Sequence, residues 1–178
     1  MTELVTTLVL GGARSGKSAF AEQLIGESAL TRIYVATAAA AGDDEMRDRI
    51  AQHRARRGEG WTTIEEPLAL VDTLTREATR NRAVLVDCLT LWLSNLMFAE
   101  RDPEVEAKRL TRFLGVANYP VVFVSNEVGL GLVPETPLGR SFRDAQGRLN
   151  QVVAAAVPQV VFMAAGLPLW LKRPSQGE

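Results

Sequence analysis

Short β-branched runs alternate along this chain with longer amphipathic stretches, the pattern that places a parallel sheet between layers of helices. The runs predict strands near residues 4–10, 32–37, 62–65, 83–87, 121–125 and 160–163, with a last strand over 168–172. Pro168 opens that last strand and has no N–H for a ladder, which suits a sheet edge. Val84-Leu85-Val86 and Val121-Val122-Phe123-Val124 are apolar at every position, not at alternate ones, so both should be central strands covered on both faces. Apolar positions spaced at the helical period predict helices over 17–27, 43–57, 68–79, 89–99, 103–116 and 138–157. In 89–99, Leu89, Trp92, Leu93 and Leu96 form one stripe and belong to the core. The segment from Gly58 to Gly60 reads as a helix stop. The expected fold is a three-layer α/β domain with a mostly parallel central sheet flanked by helices.

The first apolar run stops at a glycine-rich loop and restarts as a helix. Gly11-Gly12-Ala13-Arg14-Ser15-Gly16-Lys17-Ser18 fits G-x-x-x-x-G-K-[ST] without deviation. Gly11 and Gly16 allow backbone angles that a side chain resists, so the loop can fold round a phosphate. Its N–H groups and the helix N-terminus point at the anion. Lys17 reaches the outer phosphates, and the Ser18 hydroxyl can ligate Mg²⁺. The strand-to-helix context makes this a P-loop, and the fold expected is of the P-loop NTPase type.

Composition narrows the picture further. The 178 residues are 47% hydrophobic and 23% charged with a net charge of −1, which excludes a disordered chain and offers no global basic excess for nucleic acid. Cys88 is the single cysteine, so no intrachain disulfide forms and a reducing cytoplasm fits. No apolar run approaches the roughly 20 residues that span a bilayer. Residues 1–10 lack a basic leader and read as a structural strand, not a signal peptide. The expected organisation is one nucleotide-binding domain over 1–172, followed by a flexible tail over 173–178.

In such sheets ligands gather beyond the carboxyl ends of the strands. Besides the P-loop, this singles out Thr37, Glu65, Glu66, Asp87 and Ser125-Asn126-Glu127. Val84-Leu85-Val86-Asp87 is an apolar strand ending in a carboxylate, the form of a Walker B element whose aspartate holds Mg²⁺ beside Ser18. The plainer alternative is Asp87 as a helix cap. Asp43-Asp44-Glu45 reads as the acidic first turn of a helix. His53, the only histidine, lies four residues after Arg49 and three and four before Arg56 and Arg57. Nearby cations disfavour imidazolium and leave a neutral nitrogen able to act as a nucleophile. The guanidiniums could clamp a triphosphate. A solvated basic face with an incidental histidine accounts for the spacing equally well.

The remaining signals are weaker. Cys88 reads as a small core residue. Asn126 and Glu127 could touch ligand or bond their own loop. Arg140, Asp144 and Arg148 fall four residues apart; they could belong to an anionic-substrate surface, but the spacing favours surface ion pairs.

The ordered set of markers resembles one family over nearly the whole chain: the bifunctional adenosylcobinamide kinase / adenosylcobinamide-phosphate guanylyltransferase of cobalamin synthesis. The markers are the P-loop, Tyr34-Val35-Ala36-Thr37-Ala38, Asp43-Asp44-Glu45-Met46, Arg49-Ile50, His53-Arg54 and Asp87-Cys88-Leu89-Thr90 with Asn95-Leu96. They continue through Ser125-Asn126-Glu127-Val128-Gly129, Val133-Pro134-Glu135, Arg140, Phe142-Arg143-Asp144, Gly147-Arg148 and Asn150-Gln151 to Gly166-Leu167-Pro168-Leu169-Trp170-Leu171-Lys172.

The resemblance implies two reactions: ATP- or GTP-dependent phosphorylation of the aminopropanol hydroxyl of adenosylcobinamide, then GMP transfer from GTP to that phosphate with release of pyrophosphate. It implies a guanylylated histidine, here His53, and a catalytic Lys17. It also implies nucleotide contacts from Gly11, Gly12, Ala13, Arg14, Ser15, Gly16, Lys17, Ser18, Thr37, Ala38, Ala39, Arg54, Ala55, Arg56, Arg57, Glu65 and Asp87, with Mg²⁺ on Ser18 and Asp87. A homotrimer is implied as well. Some relatives carry two adjacent histidines on this helix, whereas here the first is Gln52. Two other readings keep the P-loop alone: a monofunctional small-molecule kinase, and a GTP-binding switch. The switch lacks an N-K-x-D element, which Asn126-Glu127-Val128-Gly129 does not supply.

Overall fold

The computed structural model describes residues 4–38, 58–117 and 119–173. The expected helix over 43–57, with Ala39, His53, Arg54, Ala55, Arg56 and Arg57 among the candidates, lies outside the described residues. So does the expected tail from residue 174 onward.

Seven strands and five helices are described. In chain order they are β1 (Thr7–Gly11), α1 (Lys17–Gly26), β2 (Thr31–Ala36), β3 (Trp61–Glu65), α2 (Leu70–Glu77), β4 (Arg82–Asp87), α3 (Leu89–Phe98), α4 (Pro103–Val116), β5 (Val121–Asn126), α5 (Pro137–Ala156), β6 (Gln159–Ala164) and β7 (Leu167–Lys172). They build a single sheet in the order β3-β2-β4-β5-β1-β6-β7, all parallel except β7, which pairs antiparallel with β6 at the edge. The two strands that are apolar throughout, β4 and β5, are indeed central, and β7 with Pro168 is an edge. The first strand starts at Thr7, later than the apolar run suggests. Residues before it meet the 119–121 turn through side chains, with Thr6 Oγ1 donating to the Tyr119 carbonyl at 3.0 Å.

Alternation within each strand divides the core in two. Leu8, Leu10, Val84, Val86, Val121, Phe123 and Val160 face one layer, packed with Leu70 and Leu74 of α2, Trp92 and Leu96 of α3, Leu110 of α4, and Leu149 and Val153 of α5. Val9, Leu85, Val122, Val124, Val161 and Met163 face the other, against Ala21 and Ile25 of α1. A strand with apolar residues at every position needs such two-sided cover. Trp92 is fully buried and satisfies its indole N–H on the Leu68 carbonyl at 3.0 Å, as a buried Trp requires. Helix starts follow local chemistry. Asp102 accepts from the Glu104 N–H at 2.8 Å with Pro103 in the first turn of α4, and Thr136 accepts from the Gly139 N–H ahead of α5.

Two connections leave the middle of the sheet in opposite directions. From β1 the chain crosses through α1, on one face, to β2. From β5 it crosses through α5, on the other face, to β6. The point between β1 and β5 is therefore a topological switch, where ligands of parallel α/β sheets bind.

Candidate active site

At the carboxyl end of β1 the backbone leaves no room for side chains. Gly11 has φ 152°, and a Cβ there would sit 2.5 Å from the Met163 carbonyl oxygen and 2.7 Å from Ser15 Oγ. Gly16, at φ 94°, caps α1, and a Cβ on it would lie 3.3 Å from Gly166 Cα. Arg14 adopts a left-handed φ of 55° although it is not glycine. The β6–β7 turn braces the loop from outside, with the Gly166 N–H donating to the Ser15 carbonyl at 3.0 Å. Gly12, Ala13 and Arg14 form the accessible crest, whereas Ser15 and Lys17 are buried. The Lys17 ammonium donates to the Gly12 carbonyl and, at 3.4 Å, to Ser15 Oγ. Ser18, half-buried, stands in the first turn of α1, whose leading N–H groups have no helical acceptor.

Asp87 ends β4 at the same sheet edge, level with Ala36 of β2 and Val124 of β5. The Tyr34 hydroxyl donates to Asp87 Oδ2 at 3.1 Å. Strand β5 stands between β4 and β1, so Asp87 and the P-loop are two strand spacings apart, about 10 Å. Between them lies the tip of β5: Asn126 is level with Gly11, and the Glu127 N–H donates to the Gly11 carbonyl at 3.1 Å.

Thr37 is fully buried, and its hydroxyl is committed to backbone. Its Oγ1 accepts from the Cys88 N–H and donates to the Cys88 carbonyl, both at 2.7 Å, while its own N–H donates to the Asp87 carbonyl at 3.1 Å. Asn95 holds the next link, donating to the Thr37 carbonyl at 2.7 Å and to the Pro67 carbonyl at 3.1 Å. Thr37 thus clamps the residues on which Asp87 depends. Ala38 is half-buried beside it, and Glu65 is exposed at the end of edge strand β3. Glu66 accepts from the Leu68 and Ala69 N–H groups at 3.0 and 2.7 Å, a local bond at the approach to α2.

Other candidates resolve on contacts. Glu127 bonds its own loop, Oε1 accepting from the Gly129 N–H at 2.6 Å. The ion-pair reading of Arg140, Asp144 and Arg148 gives way. Arg140 donates to the carbonyls of Pro134 and Glu135 at 3.0 and 2.7 Å, and Asp144 pairs with its neighbour Arg143 at 3.2 Å. The bared carbonyls ahead of α5 give that guanidinium directed acceptors, where helical spacing offers only a solvent-screened charge. Cys88 is buried, and burial together with the Asp87 charge pushes its thiol up to about 11, so it stays a protonated core group.

Three contributions were not legible in the sequence, although Tyr34, Thr90, Ser125 and Asn150 stand among its markers and candidates. Tyr34 reads as a strand hydrophobe, and only the β2–β4 pairing brings its hydroxyl to Asp87. Thr90 accepts from the Asn126 N–H at 2.8 Å. A buried network under β5 joins Gln146 Nε2 to Ser125 Oγ and Asn150 Oδ1 (both 2.9 Å), Ser125 to Asn150 (2.7 Å), and Asn150 to the Asn126 carbonyl (3.0 Å). Gln146 and Asn150 lie one turn apart on α5, a spacing that could have flagged them as a polar pair. A separate groove of about 770 Å³ lies among α3, α4 and α5, lined by residues such as Met97, Lys108 and Arg148 and by none of the strand ends.

A phosphate-binding loop closing a central parallel strand, with a carboxylate two strands away on the same edge, defines a P-loop NTPase-type nucleotide-binding fold. Solved structures agree on that fold. A Pyrococcus horikoshii protein superposes with a TM-score of 0.59 at 11% identity, covering 98% of this chain and 90% of that one. An ATPase of a type III secretion system does so with a TM-score of 0.58 at 12% identity, covering 93% and 56%. Sequence relationships are narrower. The Pseudomonas aeruginosa bifunctional adenosylcobalamin biosynthesis protein CobP is 51% identical over 167 residues, covering 93% of this chain and 96% of that protein. The Escherichia coli bifunctional adenosylcobalamin biosynthesis protein CobU is 39% identical over 180 residues, covering 93% and 98%. The sequence model for cobinamide kinase / cobinamide phosphate guanyltransferase matches residues 7–171, and the chain belongs to that family.

Proposed function

We propose that one P-loop serves both reactions of this bifunctional kinase and guanylyltransferase, and that His53 decides which phosphate is attacked. In the kinase step the acceptor hydroxyl attacks the γ-phosphorus of ATP or GTP. The bond from the γ-phosphorus to the β,γ-bridging oxygen breaks, the nucleoside diphosphate departs, and the hydroxyl proton is released. Gly11 to Ser18 cradle the phosphates through backbone N–H groups, and Lys17 exchanges its contact with the Gly12 carbonyl for the charge building on the transferred group. In the second reaction an imidazole nitrogen of His53 attacks the α-phosphorus of GTP. An N–P bond forms, the bond to the β-phosphate breaks, and pyrophosphate leaves. A phosphate oxygen of cobinamide phosphate then attacks the same phosphorus and releases His53.

The observation that carries this reading is a P-loop intact in a chain whose single histidine is followed by Arg54, Arg56 and Arg57. Those arginines suit the triphosphate of the nucleotide, and Ala38, Ala39, Ala55 and Glu65 are the further nucleotide contacts of this reading. Thr37 acts through the backbone of Cys88, and Asp87 acts at the metal. Ser18 and Asp87 would hold Mg²⁺. A hydroxyl and a carboxylate completed by phosphate oxygens and water are the donors that ion takes. Among the described residues no cluster of three His, Cys, Asp or Glu offers an all-protein cage instead. When bound, Mg²⁺ neutralises charge on the phosphate oxygens. No described helix is long and apolar enough to cross a membrane. A cytoplasmic homotrimer is the assembly consistent with this reading.

The test is incubation with α-labelled GTP and Mg²⁺. The protein should acquire a label removed by acid and retained in alkali, as a phosphoramidate is, and His53→Ala should acquire none. Equal labelling of the variant, or none of the wild type, refutes the assignment.

A further inference from the structure

Asn126 is the last residue of β5, in register with Gly11 of β1 on one side and two positions beyond Val124, the partner of Asp87, on the other. Side chains alternate along a strand. Val122 and Val124 face the α1 layer, whereas Ser125 faces α5, where its hydroxyl bonds Asn150. Asn126 therefore turns toward the α1 layer, as Asp87 does two residues after Leu85. Its carboxamide stands at the sheet edge between the strand that carries the P-loop and the strand that carries Asp87. The backbone there is one strand spacing, about 5 Å, from Gly11.

The backbone of Asn126 is fixed and its side chain is not. The Thr90 hydroxyl accepts from its N–H at 2.8 Å, and Asn150 donates to its carbonyl at 3.0 Å. Asn150 is held in turn by Ser125 and Gln146. Gln146 Oε1 is buried with no partner among the described residues, and such an orphan costs stability. A network that bears this cost and ends on one backbone position supplies placement, which a reacting group needs and a core does not. The half-buried Asn126 carboxamide, by contrast, has no hydrogen-bond partner among the described residues.

We propose that this carboxamide is a catalytic group of the kinase reaction, donating from Nδ2 to a non-bridging oxygen of the γ-phosphoryl group in transit. In a loop of this kind the lysine reaches the β- and γ-phosphates, so the group that extends from the P-loop toward Asp87, past Asn126, is the terminal phosphate. The acceptor oxygen bonds to the γ-phosphorus, the bond to the β,γ-bridging oxygen breaks, and the hydroxyl proton leaves to solvent. Charge meanwhile spreads over the three equatorial oxygens. A donor already aimed at that charge needs no reorganisation during the reaction. In guanylylation the bonds made and broken are at the α-phosphorus, and the γ-phosphate leaves intact within pyrophosphate. Asn126 therefore separates the two reactions: it makes a transition-state contact in the first and an ordinary binding contact in the second. This rests on the reading that one P-loop serves both.

Asn126→Ala and the near-isosteric Asn126→Asp test it in the full chain. The backbone contacts of residue 126 survive either change, so both variants should unfold in urea with the wild type. Steady-state kinase assays vary cobinamide and nucleotide separately, and α-labelled GTP at saturation follows the rate of His53 labelling. Asn126→Ala should lower the kinase kcat about 100-fold with little change in the KM for cobinamide. Asn126→Asp, which sets a carboxylate against the phosphate, should lose at least as much. The labelling rate of Asn126→Ala should fall far less than its kinase kcat. A kcat near wild type in Asn126→Ala overturns the assignment, as does recovery in Asn126→Asp, which would credit shape and not the donor. Equal losses in both reactions, or a loss of kcat with a lowered urea midpoint, also overturn it by making Asn126 part of the scaffold. A wild type that takes no label refutes the shared-loop reading instead, and the kinase kcat of the two variants then decides on Asn126 alone.

Discussion

Replacing Thr37 by valine removes one hydroxyl from a fully buried position while keeping its shape. That hydroxyl accepts from the Cys88 N–H and donates to the Cys88 carbonyl, both at 2.7 Å. Valine satisfies neither, and an orphaned buried polar group costs about 1–3 kcal/mol. Two such groups predict a loss of about 2–6 kcal/mol, a large part of the 5–15 kcal/mol typical of a folded domain. With an m value of about 2 kcal/mol/M, the urea midpoint should fall by about 1–3 M. Thr37→Ser keeps both bonds and removes one methyl, so it should cost only about 1 kcal/mol. Urea unfolding followed by circular dichroism measures both variants. Titration with a fluorescent GTP analogue reports whether Thr37→Ser still binds nucleotide, as a residue acting through the Cys88 backbone should allow. The reasoning is refuted if Thr37→Val unfolds with wild type, or if Thr37→Ser is as damaging as Thr37→Val. The latter result would mean that the methyl, not the hydroxyl, carries the contact.

Gly11→Ala should weaken GTP binding at least tenfold, because its Cβ would collide with the Met163 carbonyl at 2.5 Å and force the loop or β6 to shift; wild-type affinity in a folded variant contradicts this. Cys88, with a thiol at about 11 in the fold against 9.0 for a free thiol, should resist iodoacetamide at pH 8, where about one molecule in a thousand carries the thiolate. The unfolded chain loses this proton first, so stability should decline between pH 9 and 11 by about 1.4 kcal/mol per unit; rapid labelling of native protein at pH 8, or a Cys88→Ala variant with the same decline, contradicts it.

Much of the architecture was legible because it rests on local chemistry. Strand and helix periods come from covalent geometry. The P-loop is a contiguous run, and Asp102 or Thr136 caps the helix that follows it in sequence. The site was legible only where one element supplies the whole of it. Asp87 could be read as a strand-end acid, but its Tyr34 partner is 53 residues away. Thr37 could be read as a residue at a strand end, but its hydroxyl turns inward to a backbone 51 residues on. Arg140 looked like one member of a charge ladder because spacing reveals charges and hides bare carbonyls.

By itself the sequence determined that a triphosphate-binding loop closes the first strand of a parallel α/β sheet, and that β4 and β5 are buried on both faces. Those are consequences of residue order over a few positions, where φ, side-chain volume and hydrophobic period act directly. Tertiary structure alone decided that β5 inserts between the P-loop strand and the Asp87 strand. It also decided that the β6–β7 turn braces Ser15, and that Gln146 and Asn150 anchor the tip of β5 from below. Strand partners and buried polar networks are chosen by which distant surfaces exclude water together, a property of the folded ensemble that no short window of sequence contains.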